Sequence, residues 1–337
     1  MCKVFLISGI KKKNLSNTWD FINAIKDPMS KFNKDGLGYA AITAKGSVFG
    51  ERWFTNSDAF QETIEDIPLG DLSTLVDEKS NYTTVAGEYN SFGTVDRDSA
   101  VAITLHTRMA TSPKVMSNTH PFVENDITLI HNGVIRNVQD FELRQSTCDS
   151  EAILMEYVDN KVNEDISAVN AAMSNLKGYY ACGVLAKDSK ATPIMDVFKS
   201  DSARLCMTYV NELENWVFTT EDSDVTEACN ALGFTHGKVY MVKARKLNRF
   251  NAITGKLIES VDFEPASEFQ PRVISNVIDA TNNNREVIIY PHDKRKNIHI
   301  EKDMLEYYKS GKPSVSKLSD LEIQEHILSM ERNYGAW

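Results

Sequence analysis

Cys2, directly after Met1, is the residue on which chemistry could be built. Removal of Met1 by an aminopeptidase would leave a thiol and a free α-amine on one residue. The thiolate is the reactive form of cysteine. An unperturbed α-amine titrates near ~8, close to the ~8.5 of a thiol, so it can accept the thiol proton directly or through one water. That is the N-terminal form of the nucleophile–base pair. Retention of Met1 would block the amine and the scheme would fail. Position alone is weak ground, so the question is whether the chain supplies the other parts. A thiolate attacking an amide needs hydrogen-bond donors for the oxyanion, each typically worth a factor of about 10² to 10³ in rate. An Asn side-chain N–H and a Gly backbone N–H would serve, and Asn132-Gly133 follows an apolar run. A free amino acid as substrate would add two demands. One is a cation for its α-carboxylate, best met by the fork of Arg; the other is a carboxylate for its α-ammonium.

These residues need rigid elements to hold them. Residues 3–8 (KVFLIS) read as a buried strand with Cys2 at its start. Residues 16–25 place Trp19, Ile22 and Ile25 on one helical face, capped by Ser16 or Asn17. A turn at 35–38 leads into a strand at 39–42, and Lys45-Gly46-Ser47 returns the chain through 48–54, so an antiparallel sheet begins there. Residues 57–98 give no readable pattern. A strand at 101–105 delivers His106 to Thr111 into a loop, and a strand at 127–130 runs into His131-Asn132-Gly133. Ile153, Leu154, Tyr157, Val158 and Val162 form a helical stripe that Asp149 or Ser150 could cap. A second helix is expected at 166–176. Strands are expected at 179–185, 194–198, 205–209 and 216–219, a helix at 225–232, and strands at 238–244 and 256–261 with a turn at Thr254-Gly255. Residues 262–285 read as a linker, followed by a short strand at 286–290 and helices at 302–308 and 318–330.

The whole chain sets bounds. It has 337 residues, 42% hydrophobic and 25% charged, which is globular composition. A net charge of −10 argues against a nucleic-acid partner. The basic runs 11–13 and 294–296 read as solvated loop charge. The five cysteines lack any C-x-x-C, so neither a disulfide framework nor a zinc site is indicated, and a reducing cytoplasm is expected. No apolar run approaches a membrane span.

Five ordered blocks after the Cys carry a resemblance: KDGLGYAAI (34–42), HTRMAT (106–111), THPF (119–122), HNGVIRN (131–137) and CDSE (148–151). Together they resemble the class II glutamine amidotransferases, whose glutaminase domain is an N-terminal-nucleophile hydrolase. The resemblance runs from Cys2 to about Val261. It implies an α+β fold, a four-layer αββα sandwich of two antiparallel sheets. It implies hydrolysis of glutamine to glutamate and ammonia through a thioester on Cys2, with no cofactor and no metal. Asn132 and Gly133 would form the oxyanion hole. Arg108, helped by Thr111, would hold the α-carboxylate, and Asp149 the α-ammonium. His120 matches a position near the pocket lip. The chain departs from the family at Lys3 (usually Gly), Met109 (often aromatic) and Ser112 (often His).

Each residue also has a plainer account. Arg108 could be a surface ion-pair partner, Asp149 only a helix cap, and Asn132-Gly133 only a turn. His106 and His131 read as structural and Cys148 as a small buried residue. The ordered combination favours the functional reading. Residues 2–261 are then the glutaminase domain and 262–337 a linker with a helical extension. That extension is too short for a synthase domain, so a separate ammonia-accepting enzyme is expected, and oligomerisation is left open. Two rivals are an amidase of the same fold acting on another amide, and a catalytically silent binding module.

Overall fold

The computed structural model describes residues 2–54, 69, 83–84, 87–94, 96–110, 113–161, 173–264, 272–273 and 288–289. Alternation along the first strand, Lys3–Ser8 (β1), defines the layers. Phe5 and Ile7 face helix Leu15–Ser30 (α1) and meet its Trp19, Phe21, Ile22 and Ile25. Val4 and Leu6 face the other way, toward Ile130, Ala181, Leu185 and Val197 of a second sheet. A strand apolar on both faces lies between two layers, as the unbroken run VFLI requires. Each such side chain contributes roughly 1.5–3 kcal/mol by leaving water.

β1 lies inside a nine-stranded antiparallel sheet of the described residues. Its other strands are Gly36–Thr43 (β2), Val48–Phe54 (β3), Thr83–Thr84 (β4), Gly87–Phe92 (β5), Ala100–Arg108 (β6), Cys206–Val210 (β11), Asn215–Thr219 (β12) and Tyr240–Met241 (β13). They lie in the order β13-β11-β12-β1-β6-β2-β3-β5-β4. The second sheet has six described strands: Phe122–Glu124 (β7), Ile127–Ile135 (β8), Gly178–Lys187 (β9), Pro193–Lys199 (β10), Lys246–Asn251 (β14) and Leu257–Asp262 (β15). Their order is β15-β14-β10-β9-β8-β7.

Helix Ser150–Lys161 (α2) covers the outer face of the second sheet, burying Ile153, Leu154, Tyr157 and Val158 against Leu129, Cys182, Val184 and Phe198. Helix Asp222–Leu232 (α3) joins α1 on the first sheet through Val225, Ala228 and Cys229. The layers are therefore helix, sheet, sheet, helix, the αββα sandwich expected from the motifs. The sheets approach closely where Leu6 lies over Gly183, a position whose Cβ would overlap the Leu6 side chain.

Several elements differ from the sequence reading. α1 runs past residue 25 and through Pro28 to Ser30. β6 continues through His106 and Thr107 to Arg108, and β8 continues through Asn132 and Gly133 to Ile135, so these residues lie within strands. The strand expected at 238–244 is reduced to Tyr240–Met241. The arm that pairs with β15 is β14. Lys11 and Lys13 are exposed and both contact Glu214, at 2.7 and 2.6 Å.

The chain divides into two compact units, Met1–Glu268 and Phe269–Trp337. In the second, Arg272–Val273 (β16) pairs antiparallel with Ile288–Ile289 (β17). The helices expected at 302–308 and 318–330, and most of that at 166–176, lie outside the described residues. No helix among the described residues is long and apolar enough to cross a membrane.

Candidate active site

Cys2 precedes β1, and the alternation that turns Val4 and Leu6 toward the second sheet turns Cys2 the same way. Its thiol lies 3.5 Å from the Met109 carbonyl oxygen. Burial raises the thiol pKa; the Arg108 guanidinium opposes this and the Asp149 carboxylate adds to it. The thiol is therefore protonated at neutral pH and needs a base. Lys3 points to the opposite face. Its ammonium donates to the Pro28 carbonyl at 3.0 Å and to Asp224 at 2.8 Å. The departure from Gly at position 3 thus ties β1 to α1 and α3 and leaves the thiol's surroundings alone.

Arg108 ends β6, whose register sets Thr107 opposite Lys3. It is 3% exposed, and its Nη2 donates to the Pro113 carbonyl at 2.9 Å. Asp35 fixes the chain that follows. Its N–H donates to the Arg108 carbonyl at 3.0 Å, while its carboxylate accepts the Ala110 N–H at 2.8 Å and meets Lys114 at 2.5 Å. Thr111 and Ser112 lie outside the described residues.

Asn132 and Gly133 face Ala181 and Tyr180 across β9. The Asn132 Oδ1 is buried without a hydrogen-bond partner. Gly133 has φ +152°, and a Cβ there would overlap the Tyr179 carbonyl oxygen. Only glycine fits this point of the strand. Two residues on, the Ile135 N–H donates to Asp149 Oδ2 at 2.6 Å. Asp149 directly precedes α2, but this carboxylate oxygen is engaged by β8 rather than by the helix's own first N–H groups. The Asp149 carbonyl accepts the Ala152 N–H at 3.1 Å.

His120, expected near the lip, is buried at 3% exposure. Its ring stacks on His106 with centroids 3.9 Å apart and meets Phe122 edge-on, and this packing holds it inward. Neither of its ring nitrogens has a partner. The His120-Pro121 peptide bond is cis. His106 Nε2 lies 3.1 Å from the His131 carbonyl, and His131 Nδ1 lies 2.9 Å from Ser150 Oγ. Burial holds all three imidazoles below their usual range, His106 at about 3.

Two further buried polar residues belong to the site's frame, and residue-by-residue reading of the sequence misses both. Asn118 donates to the Pro113 carbonyl and to Thr147 Oγ1, each at 3.0 Å, and accepts the Thr147 N–H at 3.0 Å. It thus joins the Arg108 side of the site to the Asp149 side. Glu151 accepts four hydrogen bonds from residues 144–146. Asn118 stands just before Thr119 and Glu151 ends CDSE, so their one signal is a place in or beside a motif block.

No family model matches the chain. Glutamine–fructose-6-phosphate aminotransferase (isomerizing) of Oceanobacillus iheyensis is 35% identical over 136 residues, covering 35% of this chain and 22% of that protein. The enzyme of the same name from Acinetobacter baylyi is 30% identical over 94 residues, covering 25% and 15%. The matched stretches thus span less than a quarter of these relatives. A solved structure described as the allosteric regulatory enzyme of purine biosynthesis superposes with a TM-score of 0.50 at 17% identity, covering 78% of this chain and 49% of that one. The chain carries an α+β fold of two antiparallel sheets that superposes on that enzyme, and two stretches of its sequence resemble glutamine–fructose-6-phosphate aminotransferases.

Proposed function

We propose that the chain hydrolyses glutamine to glutamate and ammonia, with Cys2 as nucleophile once Met1 is removed. The observation that carries this reading is geometric: the thiol at the head of β1 reaches the Met109 carbonyl directly after Arg108 at the end of β6, and β8, which carries Asn132 and Gly133, holds the Asp149 carboxylate through the Ile135 N–H. An Arg and a carboxylate suit a substrate with an α-carboxylate and an α-ammonium.

The α-amine of Cys2 takes the thiol proton, and the thiolate attacks the side-chain carbonyl carbon. Asn132 and the Gly133 N–H stabilise the oxyanion. As the C–N bond breaks, the proton returns from the amine to the leaving nitrogen and ammonia departs. Water then attacks the γ-glutamyl thioester, giving glutamate and the free thiol. Arg108 and Asp149 hold the two ends of the amino acid, and Thr111 assists Arg108. His120 stacks on His106 of β6, the strand that ends at Arg108.

The ammonia passes to an acceptor enzyme on a separate protein, in the cytoplasm. The short matched stretches give no ground for assigning fructose 6-phosphate as acceptor. Ammonia release from glutamine and from other primary amides, by wild type and Cys2→Ala, tests the reading. Release confined to glutamine and lost in Cys2→Ala is expected. Equal release from simple amides would favour a general amidase, and release by Cys2→Ala would refute the assignment.

A further inference from the structure

We propose that Glu151 is a positioning residue that sets Asp149 for the substrate ammonium. This rests on the proposed reading of the pocket as a site for a free amino acid. Glu151 is fully buried in the first turn of α2. Its Oε1 accepts the Arg144 and Gln145 N–H groups, both at 2.7 Å. Its Oε2 accepts the Ser146 N–H and hydroxyl, both at 2.7 Å. Successive backbone N–H groups converging on an anion form a nest, and here the chain supplies its own anion. The Ser146 hydroxyl in turn accepts the Cys148 N–H at 3.1 Å. The nest therefore reaches the residue before Asp149, while β8 holds the Asp149 carboxylate from the other side. A buried carboxylate is stable only when its oxygens are satisfied, and four donors do that. Disturbing it releases the segment that presents Asp149, whereas Arg108 is anchored at the end of β6 and reaches that segment only through the Pro113 carbonyl and Asn118.

The test uses the full chain as wild type, Glu151→Gln and Ser146→Ala. Gln keeps the shape but turns an NH2 group toward backbone donors. Glutamine hydrolysis gives KM and kcat, and competition gives Ki for L-glutamate and for glutarate, which lacks the α-amine. Glu151→Gln is expected to raise KM and the L-glutamate Ki about 10- to 100-fold, with kcat changed less than about 3-fold. The glutarate Ki should stay within about 2-fold. Ser146→Ala should show the same pattern at about 3- to 10-fold, and it decides the matter if Glu151→Gln does not fold. Equal weakening of both inhibitors, or no change for either, overturns the proposal. Wild type that releases no ammonia removes the reading beneath it, a failure visible without any variant.

Discussion

Asn132 and Gly133 are adjacent, yet their substitution should have different consequences. Asn132 Oδ1 has no protein partner, so Asn132→Ala deletes no internal hydrogen bond made by that oxygen. The expected result is a fall in kcat of about 10²- to 10³-fold, with the urea midpoint close to wild type. Gly133→Ala drives a Cβ into the Tyr179 carbonyl at positive φ, so unfolding measurements should show a loss of about 2 kcal/mol or more, along with activity. Arg108→Lys keeps charge but loses the planar fork, and a KM increase of about tenfold or more is expected in the ammonia assay. Residue type alone does not separate these outcomes; the difference lies in what each side chain already touches.

The strands and helices carry the site through buried polar contacts. Tyr157 of α2 donates to Asp196 of β10 at 2.6 Å, and Asp196 pairs with Arg249 of β14 at 2.9 and 2.7 Å. Tyr157→Phe should cost about 1–3 kcal/mol, and Arg249→Met about 3–5 kcal/mol because it leaves Asp196 buried and unpaired, both read from urea unfolding. The same contact explains why β14 is illegible in the sequence. KLNRFN reads as polar surface because its arginine is turned inside, whereas 238–244 holds the apolar run VYMV and yet pairs at only two residues. The apolar stripe of α2 and the run in β1 are legible because their periods match their burial. Acid should loosen the contact between β6 and β8, where His106 meets the His131 carbonyl. His106 titrates near 3 when folded, below about 6.5 when unfolded. Above about pH 6.5 neither state is charged, and below it only the unfolded state gains the proton. Stability should therefore fall by about 1.4 kcal/mol per pH unit from this residue until about pH 3. Urea midpoints at pH 7.5 and 5 check this, with a smaller decline expected for His106→Asn.

At the scale of the molecule, the first compact unit runs from Met1 to Glu268. Phe263 is 3% exposed and stacks near Tyr180 with centroids 6.4 Å apart. A chain ending at residue 268 should keep the thermal midpoint of this unit, while one ending at 261 should lose the burial of an aromatic side chain, about 2–3 kcal/mol. We propose that the glutaminase resides in this unit. In the proposed mechanism Cys2 becomes the N-terminal nucleophile, and intact mass after exposure to a glutamine-analogue electrophile is the decisive measurement. A chain without Met1 carrying one adduct, mapped to Cys2 and blocked by excess glutamine, is expected. A folded chain that retains Met1 and leaves Cys2 unlabelled would contradict that mechanism.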